Sequence, residues 1–373
     1  MEIQKFTELL GAEFYTGVPD SQLRSLCDWL MKTYGIDPAH HLIAANEGNC
    51  TALAAGYHMA TGKVPVVYMQ NSGEGNVINP VASLLNEHVY AIPMIFVIGW
   101  RGEPDIHDEP QHVYQGKVTL KLLEDMSIEF VIVSPDTTEA ELKETMSRFR
   151  DLLKKGKQVA FVIRKGALTC SEPVQYRNFY SMTREEAIRH IVAVTGEDPV
   201  VSTTGKASRE LFEIREANHQ SHQYDFLTVG SMGHASSIAL GIAIQKPEQK
   251  VWCLDGDGAL LMHMGSLAVI GQVQPKNLIH IVINNEAHET VGGMPTASSA
   301  VSLIQIAAGC GYTHAVSVDN FEALDAALKD AKNSEELMFL EVKCSLGARS
   351  DLGRPTTTAL ANKEQFMKFL KDK

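Results

Sequence analysis

The chain is short of three things, and each shortage excludes something. No apolar run approaches the ~18 consecutive residues needed to cross a bilayer as a helix. Positive charge is scarce: 33 Lys and Arg face 45 Asp and Glu, a net charge of −12. That balance disfavours nonspecific nucleic-acid binding and attraction to anionic membranes. An anionic substrate would have to be met by cations gathered locally. Paired cysteines are missing too. Cys27, Cys50, Cys170, Cys253, Cys310 and Cys344 are scattered, with no CxxC pair. A zinc site or a disulfide framework is therefore not expected, and reduced thiols in a cytoplasmic setting are. There is no low-complexity tract and no short-period repeat. The opening MEIQKFTELLGAEF is interrupted by acids and is not expected to be a signal peptide.

What is present is ordinary for a globular protein: 45% apolar and 21% charged residues over 373 positions. The length suggests two domains. Short β-branched runs at 42–45, 64–69, 93–98, 130–133 and 159–163 read as buried parallel strands. Helix-like segments at 21–32, 48–60, 77–89 and 139–154 alternate with them, and Gly62 is a stop signal after the second. The polar, aromatic stretch 170–187 breaks the rhythm as a linker. Strands then resume at 200–203, 226–229, 251–254, 278–283 and 339–342, with helices at 235–244, 267–272 and 321–332. The alternation predicts an α/β protein of two doubly wound parallel-sheet domains, 1–175 and 180–373.

The most informative stretch is VWCLDGDGALL, residues 251–261. An aspartate, Asp257, stands between Gly256 and Gly258 at the carboxyl end of a strand, where doubly wound sheets bind ligands. The following helix, starting near Ala259, offers unpaired N–H groups to phosphate. A dinucleotide fingerprint fails because Leu261 replaces its last glycine. A phosphate loop around Lys206 fails because Val200 and Ala207 replace its glycine and hydroxyl. A second strand, LIHIVI, ends in Asn284 and Asn285, 28 positions beyond Asp257 (285 − 257). One helix and one strand fill that gap, so both side chains emerge at one sheet edge. Aspartate, asparagine and a carbonyl are hard oxygen donors suited to Mg²⁺ shared with a phosphate. A plain turn is the alternative.

This GDG–NN pattern resembles the diphosphate–Mg²⁺ motif of thiamine diphosphate enzymes. The resemblance implies thiamine diphosphate and Mg²⁺ as cofactors, with Asp257, Asn285 and the carbonyl of Ala287 on the metal. The family more often has glycine where Glu286 stands here. Glu47, at a strand-to-helix junction in LIAANEGNCTALAAGYHMATG, matches the carboxyl that bonds the aminopyrimidine. Met232, in LTVGSMGHASS, matches the apolar support under the bent cofactor, with Gly230 beside it. Thr203 and Thr204, closing a strand, would add bonds to the diphosphate, unless they cap the next helix. The resemblance makes 1–175 the pyrimidine-binding domain and 180–373 the diphosphate-binding domain. It also implies self-association, since family members hold the cofactor between subunits.

GVPDS at 17–21, WRGEPDIHDEPQHVYQG at 100–116 and NNEAHETVGGMPT at 284–296 narrow the resemblance to the phosphonopyruvate decarboxylase family, with sulfopyruvate decarboxylases as the near rival. The implied substrate is a small 2-keto acid with an anionic group at C3. Asp20 and His112 are the candidate proton-transfer groups, His112 being placed in the loop after the strand at 93–98. Arg101 leads the candidates for the substrate anion, followed by Lys206 and Arg209. Ser21, Asn71 and His288 add hydrogen bonds, and Glu289 is a further pocket candidate. A phosphate-binding α/β protein without chemistry stays open as the alternative class.

Overall fold

The computed structural model describes residues 1–373. The chain forms two compact units: Met1–Gln175 with Thr290–Met294, and Tyr176–Glu289 with Pro295–Lys373. No helix is long and apolar enough to cross a membrane. All six cysteines are free.

The first unit is built on six parallel strands in the spatial order His41–Ile43, Tyr15–Gly17, Val66–Gln70, Met94–Gly99, Gln158–Ile163, Glu129–Val133. Met94–Gly99 and Gln158–Ile163 are buried at every position, as strands covered on both faces must be. From Tyr15–Gly17 the chain moves out to the edge strand His41–Ile43, then crosses back to Val66–Gln70. The winding direction reverses between those inner strands, and their carboxyl ends open a crevice there.

The second unit repeats this plan. Its order is Asp225–Leu227, Val200–Ser202, Val251–Gly256, Leu278–Asn284, Met338–Lys343, His314–Val318, all parallel. Its reversal lies between Val200–Ser202 and Val251–Gly256, the strand that leads into Asp257. Both units are doubly wound parallel sheets, as the alternation predicts.

Several details differ from the sequence reading. Tyr15–Gly17 is only three residues long, too short to carry a pattern. His314–Val318 is a half-polar edge strand. The helix expected at 21–32 starts after Leu23, at Arg24. The helix expected at 77–89 is Glu74–Pro80, continued by a π-turn over Val81–Leu85. Pro80 has no N–H for the regular ladder, and a widened turn accommodates it. Glu47–Thr61 ends at Gly62 with φ 70°, the left-handed stop expected there. After the coil from Cys170, Thr183 caps the helix Arg184–Thr195 by accepting the Glu186 N–H at 3.2 Å.

Candidate functional site

In the second unit, Asp257 opens a helix of only six residues, Asp257–Met262. So short a helix has little dipole, so an anion at this turn would have to be held by local N–H groups. Asp257 is 3% exposed. Its Oδ2 accepts from Thr296 Oγ1 at 2.5 Å and Ser298 Oγ at 2.9 Å, and no lysine or arginine pairs with it. Burial pushes its pKa up to about 6. A buried carboxylate held by two hydroxyls and local backbone N–H groups, with no cationic side chain beside it, is an acceptor set that suits a divalent cation.

The neighbouring strand supplies the remaining oxygens. Ile283 stands opposite Gly256 in the parallel ladder, so Asn284 and Asn285 leave the sheet at the level of Asp257. Ser298 Oγ also reaches Asn284 Oδ1 at 3.1 Å, tying the two strand ends together. Asn285 Nδ2 donates to Glu289 Oε2 at 2.7 Å, which turns its amide oxygen away from that carboxylate. Glu289 is held by Arg184 and by Lys206 at 2.9 Å, and Arg184 also grips the buried Glu210. Lys206 is therefore engaged rather than free, and Arg209 donates to the Gly353 carbonyl at 2.5 Å. Glu286, where the family more often has glycine, has φ 61°. The chain keeps the left-handed turn despite the side chain, whose Oε1 accepts from Tyr180 Oη at 2.5 Å. Crowding by protein holds the His288 pKa down to about 4, so its ring is neutral.

Met232 reaches this turn. A Cβ on Gly258 would lie 3.3 Å from Met232 Cε and 3.5 Å from His288 Cε1. Thr203 is buried and its N–H donates to the Leu254 carbonyl, while Thr204 Oγ1 donates to the Val229 carbonyl beside Gly230 at 2.9 Å. Neither caps the following helix Lys206–Ala217. Its N-cap is Gly205, without a side-chain bond.

In the first unit, Asn46 caps the helix Glu47–Thr61 and accepts the Gly48 N–H at 2.7 Å, which places Glu47 on the first turn. Glu47 is 5% exposed and has no basic partner. Its Oε2 accepts from Asn76 Nδ2 at 2.7 Å, and its Oε1 lies against Gly73, where a Cβ would come within 2.6 Å. Burial raises its pKa, favouring the protonated acid.

A second cluster stands at the reversal point of the first sheet. Asp20 Oδ1 accepts from Gln70 Nε2 at 2.6 Å, and Oδ2 accepts the Gln22 N–H at 3.0 Å. Asp20 is not a helix cap, since Leu23 holds that position. Burial raises its pKa, and those two bonds and Arg101 only partly offset it. Arg101 forks onto Asp108, with Nε to Oδ2 at 2.8 Å and Nη2 to Oδ1 at 2.5 Å, while Nη1 reaches Ser21 Oγ at 3.2 Å. His112 is not in a loop. It lies on the helix Pro110–Asp125, its pKa pushed down to about 4 by burial and by Arg101. That helix touches the Arg101 loop through glycines: a Cβ on Gly116 would lie 1.7 Å from the Gly102 carbonyl oxygen. Asn71 is fully buried, donating to the Arg101 carbonyl and Thr119 Oγ1 and accepting the Arg101 N–H. Its hydrogen bonds fix the Arg101 backbone and leave no donor for a substrate.

Asn76, Gln70, Thr296 and Ser298 went unnoticed in the sequence. They hold Glu47, Asp20 and Asp257 across 29, 50, 39 and 41 positions, separations with no local signature. Asn76 left a trace, three positions past Gly73 in a glycine-rich helix start, and Thr296 closes the motif at 284–296.

Residues 4–123 match the family described as thiamine pyrophosphate enzyme, N-terminal TPP binding domain, and residues 203–342 its C-terminal TPP binding domain. A phosphonopyruvate decarboxylase of Streptomyces viridochromogenes is 35% identical over 381 residues, 97% of this chain and 92% of that protein. The sulfopyruvate decarboxylase subunit beta of Methanocaldococcus jannaschii is 36% identical over 43% of this chain and 82% of its own length. The subunit alpha of Methanothermobacter thermautotrophicus is 33% identical over 41% of this chain and 87% of its own. A relative at that identity along nearly the whole chain, with both cofactor-binding domains matched, places the protein among the thiamine pyrophosphate-dependent carboxy-lyases, in the family of the phosphonopyruvate and sulfopyruvate decarboxylases.

Proposed function

We propose that the protein decarboxylates 3-phosphonopyruvate to phosphonoacetaldehyde and CO₂, using thiamine diphosphate and Mg²⁺. The observation that carries this reading is a pair of buried carboxyls without basic partners, Glu47 in one unit and Asp257 in the other. Each needs something the chain does not supply. Asp257, the amide oxygen of Asn285 and the carbonyl of Ala287 would hold the metal. Gly256, Gly258, Ala259, Thr203, Thr204 and Gly230 would line the diphosphate, and Met232 would support the bend. On this reading 1–175 is the pyrimidine-binding domain and 180–373 the diphosphate-binding domain. The enzyme is a homo-oligomer in the cytoplasm.

When bound, thiamine diphosphate supplies a nucleophilic carbon and an electron sink for the departing CO₂. The chain does the rest. Burial biases Glu47 toward its protonated form, in which it would donate a hydrogen bond to the aminopyrimidine ring. Burial biases Asp20 the same way, so at the reversal point of its sheet it would be the group to pass a proton. His112 and His288 are neutral at pH 7 and serve as hydrogen-bonding rather than charged groups. Arg101 presents Nη1, with the Ser21 hydroxyl beside it, to the substrate anion. Lys206 adds positive field while tied to Glu289.

Release of CO₂ from phosphonopyruvate, sulfopyruvate and pyruvate should be compared on one preparation. The proposal expects the largest kcat/KM with phosphonopyruvate. Faster turnover of sulfopyruvate would move the protein to the sulfonate side of its family. Inactivity on all three substrates, with cofactor bound, would remove the proposal.

A further inference from the structure

Behind the Asp257 turn lies a buried polar group that the reaction does not use. Cys253 and Asp255 alternate on the strand Val251–Gly256, and His280 stands opposite Cys253 on Leu278–Asn284. Residues two apart, and residues paired across a ladder, share a face of the sheet. The three therefore converge, with candidate ligand atoms within 4.8 Å of one another, and all three are fully buried. Tyr312 closes the row. Its Oη meets His280 Nδ1 at 2.9 Å, His280 Nε2 meets Asp255 Oδ2 at 3.4 Å, and Asp255 Oδ1 accepts the Gly256 N–H at 2.9 Å.

The chemistry of these groups argues against a second cation. Burial and the neighbouring Asp255 push the Cys253 thiol pKa far up, whereas a metal ligand must be a thiolate. The oxygens and nitrogens already form a chain with one direction. A carboxylate at Asp255 accepts a hydrogen bond from His280 Nε2, which leaves Nδ1 to pair with the tyrosine hydroxyl. The chain ends on the N–H of Gly256, the residue immediately before Asp257. Gly256 has no side chain of its own to restrict it, and it must stay extended, at φ −123° and ψ 155°, for Asp257 to leave the sheet in its observed direction.

We propose that Tyr312, His280 and Asp255 are positioning residues for the metal turn: they clamp the Gly256 amide and so fix the direction of the Asp257 carboxylate. This rests on the reading of Asp257 as a Mg²⁺ ligand. Supporting partners one step behind the ligands are commonly worth 10–100-fold in metal affinity.

The test is Mg²⁺ titration of the full-length protein at saturating thiamine diphosphate, followed by calorimetry, together with thermal unfolding of the cofactor-free protein. His280→Leu should weaken Mg²⁺ binding by about 10-fold or more. His280→Gln, which can donate to Asp255 and accept from Tyr312, should recover part of the loss. Tyr312→Phe removes one hydroxyl and should weaken binding less. Leu328→Ala is the control: it is fully buried in the same unit but on the helix Phe321–Asn333, away from His280 and Tyr312, so it should lower stability while leaving Mg²⁺ affinity unchanged. Unchanged affinity in His280→Leu overturns the inference. If that variant fails to fold, unchanged affinity in Tyr312→Phe overturns it. Stoichiometric zinc in the wild-type protein, lost in His280→Leu, would make the group a cation site and overturn it too. If the wild type itself takes up no Mg²⁺, the metal reading of Asp257 falls and this inference with it. If wild type and variants bind alike, only this inference falls.

Discussion

Counted in chain order, the strands of both sheets run second, first, third, fourth, sixth, fifth. The two units thus offer four equivalent strand ends, and the sequence fills them with different chemistry. After the first strand stands Asp20 in one unit and Thr203 in the other. After the second comes Glu47 in one and Met232 in the other, each near the start of a helix rich in small residues. After the third come Gln70 and Asn71 against Asp257, and after the fourth Arg101 against Asn285. One unit puts proton-holding and charged groups at its ligand edge. The other puts oxygen donors and one apolar support there. The backbone plan fixes where side chains emerge, and the residue at each strand end decides what the edge can do.

The comparison can be broken at either edge. The largest effect is expected at Glu47. Glu47→Gln keeps the shape and the Asn76 contact region but removes the acid, and should lower kcat by about 10³-fold, the scale of a lost proton-transfer group. Thiamine diphosphate binding and subunit assembly should persist. Near-normal turnover would refute the assignment.

Asp257→Asn comes next, with Mg²⁺ affinity reduced by more than the roughly 100-fold upper range for residues one step behind a ligand. Its pH signature is distinctive. The folded-state pKa is raised from 3.8 to about 6, so the cofactor-free protein is favoured at low pH and loses stability as pH rises through that window. About two units correspond to about 3 kcal/mol. Thermal scans between pH 4 and 7 should show the decline in the cofactor-free wild type, flattened in Asp257→Asn. Mg²⁺ should reverse it, since the cation favours the ionised carboxylate.

Arg101→Lys should raise KM for the anionic substrate about 10-fold with little change in kcat, because lysine cannot hold Asp108 as a fork and still reach past Ser21. An unchanged KM would remove Arg101 from substrate binding.

The smallest effect on activity is expected at Glu74. It is fully buried in the first unit, neither oxygen has a hydrogen-bond partner, and burial lifts its pKa to about 9. Its protonated form contributes stability that is full below about pH 4.5 and is lost as pH rises from there to about 9. Glu74→Gln should match wild type near pH 4, unfold at a higher temperature than wild type at pH 7, and do so by a wider margin at pH 9. Parallel pH profiles would show that this carboxyl finds a partner in the assembled enzyme.

Much of this was legible because buried parallel strands write continuous apolar runs. LIHIVI and VWCL announce themselves, and GDG and NN mark where they stop. Glu47 was found the same way, as an acid at the end of LIAAN before an alanine-rich helix. The strand Tyr15–Gly17 was hidden because three residues hold no period, and the helix Pro110–Asp125 because its polar first turn reads as loop. The pairing of Arg101 was hidden for a different reason. A cation seven positions before Asp108 looks free in sequence, and only the folded loop brings the carboxylate back onto it. The clasp of Thr296 and Ser298 on Asp257 is likewise a product of the tertiary fold.

Glu286 shows how the loop after Asn285 is kept in shape. A left-handed φ costs an ordinary residue roughly 1 kcal/mol or more, a strain that glycine would not feel. Yet glycine would also widen the unfolded ensemble by about 0.4–1 kcal/mol of entropy and would give up the Tyr180 bond. The glutamate exchanges a little strain in the folded loop for fewer conformations outside it, so the turn between Asn285 and Ala287 is restrained by a side chain where a more mobile peptide would also fit.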